Sequence, residues 1–223
     1  MNPKNTAFLF DLNGTIIDDM AYHAKAWYHI LAEDLGADLT FEEVKQEMYG
    51  KNAEVLVRIF GEDHFDTDEI EKLSTKKESY YQHAYKPHLE LINGLQEFLA
   101  QAAAANVKMA IASAAITDNI DFVIDNLNIR HYFQALVSAD DVSTSKPNPE
   151  TFLKAAEKLN ADPADCIVFE DAPKGVEAAQ NAGMRCVVIT TAHPKEDFAQ
   201  YDNVIGYIAD YTEPYIKNFF EQQ

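Results

Sequence analysis

The chain has 223 residues and a net charge of −19, from 18 Lys and Arg against 37 Asp and Glu. That length allows one large domain or a domain with an insert, and it buries enough surface to fold without a metal or disulfide staple. The acidic balance, with no basic stripe, argues against nucleic acid and an anionic membrane surface; a small anionic substrate stays open, because one metal ion and one lysine reverse a local field.

Residues 7–10 form an apolar run that stops at Asp11-Leu12-Asn13-Gly14-Thr15, the pattern of a buried strand opening into a tight loop. From 18 to 88, apolar residues recur at three- and four-residue spacing over 21–35, 44–48, 55–60 and 70–81. Gly36, Gly50 and Gly61 interrupt these runs and Pro87 closes them, which predicts helices and no strand. The acidic run 62–71 reads as a loop and helix N-terminus, where carboxylates complement the dipole. The aromatic stretch 80–88 reads as a solvated helix end without zinc-ligand spacing.

Helices and strands then alternate: helix 95–105, strand 108–112, helix 117–127, strand 135–138, helix 149–159, strand 166–169, helix 173–182 and strand 185–189. Pro173 falls in a first helical turn and Gly183 where a left-handed C-cap is wanted. The tail 211–223 reads as a docking terminal helix. Such alternation means an α/β fold with a doubly wound, mostly parallel sheet covered on both faces. Its core would be 1–17 and 89–223, split by a helical insert of 18–88. Cys166 and Cys186 fall in the strand runs, so free buried thiols are expected. No apolar stretch reaches the length of a membrane span and the N-terminus shows no secretory pattern, so a soluble cytoplasmic protein is expected.

Ligands of an open α/β sheet bind outside the carboxyl ends of its strands. Those ends carry Asp11, Ser113 and Glu170-Asp171, and Lys146 lies in the loop after the 135–138 strand. Three acids on one rim repel unless a hard cation sits among them, and carboxylates with water suit Mg²⁺. A carboxylate beside Mg²⁺ and a lysine is suited to attack phosphorus. Ser113 with backbone N–H groups at a helix start suits phosphoryl oxygens.

Asp11-x-Asn13-Gly14-Thr15, Ser113, Lys146-Pro147 and Glu170-Asp171, in that order, resemble the four motifs of the haloacid dehalogenase superfamily of phosphohydrolases, with its Rossmann-like core. The insert, with Tyr22-His23, Trp27 and Gly50-Lys51-Asn52, resembles the cap of the β-phosphoglucomutase-like subgroup. The resemblance implies that Asp11 is the nucleophile, forming an aspartyl-phosphate. Mg²⁺ would be held by Asp11, the Asn13 backbone carbonyl and Asp171, with Glu170 beside it or through water. Ser113, Ala114 and Lys146 would bind the phosphoryl group, and His23, Lys51 and Asn52 would contribute from the cap. A small phosphate ester or pyrophosphate is the implied substrate, and a monomer is expected because the cap must swing.

The sequence departs from the pattern in two places. The family's second aspartate is Asn13 here, and an amide offers hydrogen bonds but no proton exchange. That removes general acid–base help typically worth about 10²–10⁴-fold, either as a substitution that traps an active enzyme or as a natural form that binds without turnover. The anchors for a second phosphate are also absent: Ala115 and Ile116 follow Ser113, and Ala53 replaces a cap arginine. Hydrolysis is therefore favoured over a sugar-phosphate mutase, with a phosphate-ester-binding protein as the non-enzymatic alternative. His23 reads either as a helix-packing residue or as a hinge contact orienting Asn13, Lys51 as solvated or substrate-facing, and Trp27 as insert core rather than a substrate platform.

Overall fold

In a computed structural model, residues 6–220 are described. Contacts divide the chain into two units, Met1–Asp18 with Glu90–Gln223, and Asp19–Leu89.

The first unit is built on a six-stranded parallel sheet in the order β3-β2-β1-β4-β5-β6. The strands are β1 (Ala7–Phe10), β2 (Lys108–Ala112), β3 (Ala135–Val137), β4 (Cys166–Glu170), β5 (Arg185–Ile189) and β6 (Val204–Ile208). β1 and β4 are buried along their whole length, as expected where helices cover both faces of a parallel sheet. One face packs β-strand residues such as Leu9, Ala110 and Val168 against Phe152, Ala155, Val176 and Ala179 of flanking helices. The other carries an aromatic cluster in which Phe8 stacks on Phe98 and Phe10 on Phe169.

Strand β6 is not predicted from the sequence. Gly206 interrupts its apolar run, and a Cβ there would lie 2.3 Å from the Tyr215 ring, so the glycine makes room for an aromatic side chain. The tail predicted as a helix over 211–223 forms only a short one, Pro214–Lys217; residues 221–223 lie outside the described residues.

The second unit is helical: α1 (Met20–Tyr28), α2 (Phe41–Glu47), α3 (Asn52–Phe60) and α4 (Thr67–Tyr85). The first predicted helix changes pitch, passing after Tyr28 into a π-helical turn, His29–Asp34, in which Leu35 N–H reaches the Ile30 carbonyl. Thr40 and Asp66 open α2 and α4 with capping boxes to Glu43 and Glu69. Trp27, Ile30, Leu31, Val44, Val55 and Leu56 form its core. Tyr81 and Tyr85, predicted to lie on a solvated helix end, are instead buried. Ile70, Leu73, Lys77, Tyr81 and Tyr85 recur at three- and four-residue spacing, so one stripe runs to the end of α4. In the first unit α5 (Leu95–Ala104), α6 (Thr117–Asn126), α7 (Glu150–Leu159) and α8 (Pro173–Asn181) flank the sheet, and α9 is Pro214–Lys217. No described helix is long and apolar enough to cross a membrane.

Candidate active site

Parallel register gathers the motif residues. Phe10 pairs with Ile111 on one side and Phe169 on the other, so β1, β2 and β4 end level with one another. Asp11 N–H continues the ladder to the Phe169 carbonyl and Ser113 N–H to the Val137 carbonyl, at 3.0 Å each. Asp11, Ser113, Glu170 and Asp171 are all buried. Lys146 Nζ lies 2.6 Å from Asp11 Oδ1 and 2.8 Å from Glu170 Oε1, linking residues 135 positions apart in sequence. Ala114 and Asn13 are half-buried in the loops on either side, the first leading into α6.

Two glycines make room for two acids. Gly14 takes φ +75°, and a Cβ on it would stand 2.1 Å from Asp171 Oδ2. On Gly175 a Cβ would stand 1.7 Å from Glu170 Oε1. Any larger residue at either position displaces a rim carboxylate, which explains the glycine of the first motif in steric terms.

Burial raises the Asp11 pKa to about 6; Glu170 adds to that rise, while Lys146 and Ser113, through charge and hydrogen bonds, pull it down. Asp171 is raised well above the ordinary carboxylate value by burial and by the charges of Glu170 and Asp11. Burial works against the Lys146 ammonium, but Asp11 and Glu170 outweigh it and leave its pKa raised. Three buried carboxylates thus share one buried ammonium, a charge deficit that a divalent cation would fill.

The donor set, carboxylate oxygens with backbone carbonyl close by, fits Mg²⁺. Both oxygens of Glu170 are engaged, Oε1 by Lys146 and Oε2 by the backbone N–H groups of Asp171 and Ala172. Glu170, expected beside Asp171 or through water in the metal site, also orients Lys146 and the loop after β4. Among the described residues no three His, Cys, Asp or Glu side chains form a metal cage. Asp11 and Asp171 would offer side-chain oxygens beside Glu170, with backbone carbonyl and water to complete the set, the mixture Mg²⁺ favours.

The residues expected from the insert lie in the helical unit. His23 is buried; its Nδ1 is 2.8 Å from Lys77 Nζ and its Nε2 3.3 Å from Asp19 Oδ2. Asn52 donates to Glu78 Oε1 at 2.7 Å, and the Lys51 backbone N–H donates to Glu54. Lys77 also bonds Glu78 at 3.0 Å, and the Tyr81 hydroxyl donates to Asp19 Oδ2. Lys77, Glu78, Tyr81 and Asp19 were not anticipated. The available signal was a lysine on the apolar stripe of α4, where charge is expected only with partners.

Comparisons with known proteins bear on the family and the fold. Residues 8–189 match the family model described as haloacid dehalogenase-like hydrolase. The chain is 30% identical to the beta-phosphoglucomutase of Bacillus subtilis, across 97% of this chain and 96% of that one. It is 30% identical to the fructose-1-phosphate phosphatase YqaB of Escherichia coli, across 84% and 97%. The crystal structure of beta-phosphoglucomutase from Clostridium difficile superposes with a TM-score of 0.83 at 27% identity, covering 97% of both chains.

Proposed function

Because the chain belongs to the haloacid dehalogenase-like hydrolases, in their β-phosphoglucomutase-like subgroup, we propose that it is a phosphohydrolase of a small phosphorylated metabolite, a sugar phosphate by class. The observation that carries this reading is Asp11 itself: a buried carboxylate at a strand end, 2.6 Å from a buried lysine and beside two further buried acids.

Asp11 attacks phosphorus, forming an O–P bond as the ester O–P bond breaks, and the aspartyl-phosphate is then hydrolysed by water. Lys146 and Ser113, with the backbone at Ala114, neutralise and orient the phosphoryl oxygens. Asp11, Asp171 and the Asn13 carbonyl would hold Mg²⁺, which supplies further neutralisation of phosphoryl charge when bound. Asn13 can hydrogen-bond the leaving oxygen but cannot hand it a proton. Turnover is low for that reason. Ala115 and Ile116 bring no cationic or hydroxyl side chain for a second phosphate, which favours water over a second sugar hydroxyl as acceptor.

The test is a phosphate-release screen of Asn13→Asp and the parent against phosphate esters and pyrophosphate, with Mg²⁺ and with chelator. Restoring a general acid–base group is expected to raise turnover by about a hundredfold or more. Equal rates remove this side chain from the mechanism, and full activity in chelator removes the metal. Isomerisation of a sugar phosphate that depends on a bisphosphate, with little phosphate released, replaces the hydrolase reading by the mutase one.

A further inference from the structure

Two side chains beyond the span matched by the family model grip the Asp11 loop. Thr191, two residues past β5, donates from Oγ1 to the Gly14 carbonyl at 2.6 Å. Tyr211, three past β6, donates from its hydroxyl to the Thr15 carbonyl at 3.1 Å. Tyr211 is itself fixed: it is 4% exposed, its N–H donates to the Asn93 carbonyl, and its ring packs 5.4 Å from that of Phe98.

Gly14 is held from the other side as well, its N–H donating to the Ile17 carbonyl at 2.7 Å. A peptide unit is planar and trans, so fixing that N–H also fixes the Asn13 carbonyl, which points the opposite way in the same plane. The Thr191 bond fixes the next peptide plane. Both planes flanking Gly14 are thereby set. This matters because Gly14 must lack a Cβ to let Asp171 approach, and glycine is the residue with the most backbone freedom to lose. The steric requirement of the site creates a loose joint in it, and the Thr191 hydroxyl ties that joint down.

We propose that Thr191, seconded by Tyr211, is a positioning residue for the site: its hydrogen bond to the Gly14 carbonyl sets the Gly14–Thr15 peptide and, together with the Ile17 bond that sets the Asn13–Gly14 peptide, holds the Gly14 backbone against Asp171. The inference rests on the metal and phosphoryl roles assigned above. Partners one step removed from a metal commonly change affinity or activity by about 10–100-fold when removed.

Calorimetric titration of the full chain with Mg²⁺, without substrate, separates this role from plain stability. Thr191→Val keeps the shape and loses the hydroxyl; about tenfold weaker Mg²⁺ binding is expected, at the lower end of that range. Thr191→Ser restores the hydroxyl and is expected to bind within about threefold of the parent, below that range. In the Asn13→Asp background, Thr191→Val is expected to lower kcat about tenfold while leaving KM nearly unchanged. Melting in chelator checks that both variants are folded. Parent-like Mg²⁺ binding by Thr191→Val overturns the proposal, as does a serine variant as weak as the valine one. A parent chain that binds no Mg²⁺ overturns the metal assignment and the positioning role with it; a parent that binds, with an equal valine variant, overturns the positioning role alone.

Discussion

Each unit of the molecule buries a lysine among carboxylates, and the two lysines behave oppositely. At the rim of the sheet, Asp11 and Glu170 outweigh the burial of Lys146 and raise its pKa. In the helical unit, burial outweighs Glu78 and Asp19 and lowers that of Lys77. The difference lies in how the remaining polar atoms are used. Around Lys77 the groups serve each other: Asn52 donates to Glu78, Tyr81 to Asp19, and the Lys77 ammonium also lies 5.3 Å from the Trp27 ring. At the rim, Asp171 adds a third carboxylate, and both it and Asp11 are held above the ordinary carboxylate value. The same chemistry makes a mutually hydrogen-bonded strut in one unit and an under-compensated site in the other.

Substitution at the two places should therefore fail in different currencies. Asp11→Asn is expected to lower phosphate release by about a thousandfold or more, as loss of a nucleophile that works in concert with its neighbours does, with the fold intact by circular dichroism. Retained turnover in that variant breaks the contrast at its centre. Lys77→Met should act on stability instead, because it leaves Glu78 and Asp19 buried without their cation. A cost of about 3–5 kcal/mol is expected in urea unfolding. Lys77→Met with Glu78→Gln should recover part of it, since the second change removes the stranded charge. If Lys77→Met unfolds like the parent but loses turnover in the Asn13→Asp background, the cluster serves the chemistry and the contrast is wrong.

The rim was legible in the sequence because strand ends in a parallel sheet are level: an apolar run followed by Asp11, Ser113 or Glu170 states both the strand and the direction its last residue faces. Register, not local propensity, brings Lys146 to Asp11 across 135 positions, and the motif order carried that information. Strand β6 was hidden by Gly206, whose purpose is visible only once Tyr215 is packed over it. The Lys77 cluster was hidden because a charged residue on an apolar stripe declares itself only through partners on other helices. Thr191 and Tyr211 left no signal at all, since a hydroxyl that bonds a backbone carbonyl can come from any loop near enough.

The smallest expected effect tests the charge deficit directly. Without metal, Asp11 has a pKa of about 6 against an ordinary 3.8, so folding favours its protonated form. The associated stability is fully present below the ordinary value and is lost as pH rises through about 6; Asp171, shifted the same way, adds to the loss. In Asp11→Asn that side chain no longer titrates. Melting temperatures of the two proteins in chelator should therefore diverge from pH 4 to pH 7, the asparagine form gaining a few degrees on the parent, at about 2–4 °C per kcal/mol for a chain of this size. Saturating Mg²⁺ should close the gap by stabilising the parent, since a ligand at about a hundred times its dissociation constant contributes about 2.7 kcal/mol. A gap that stays constant across this pH range, or one that Mg²⁺ leaves untouched, means the rim carboxylates are already compensated. The rim would then be a strut like its counterpart around Lys77.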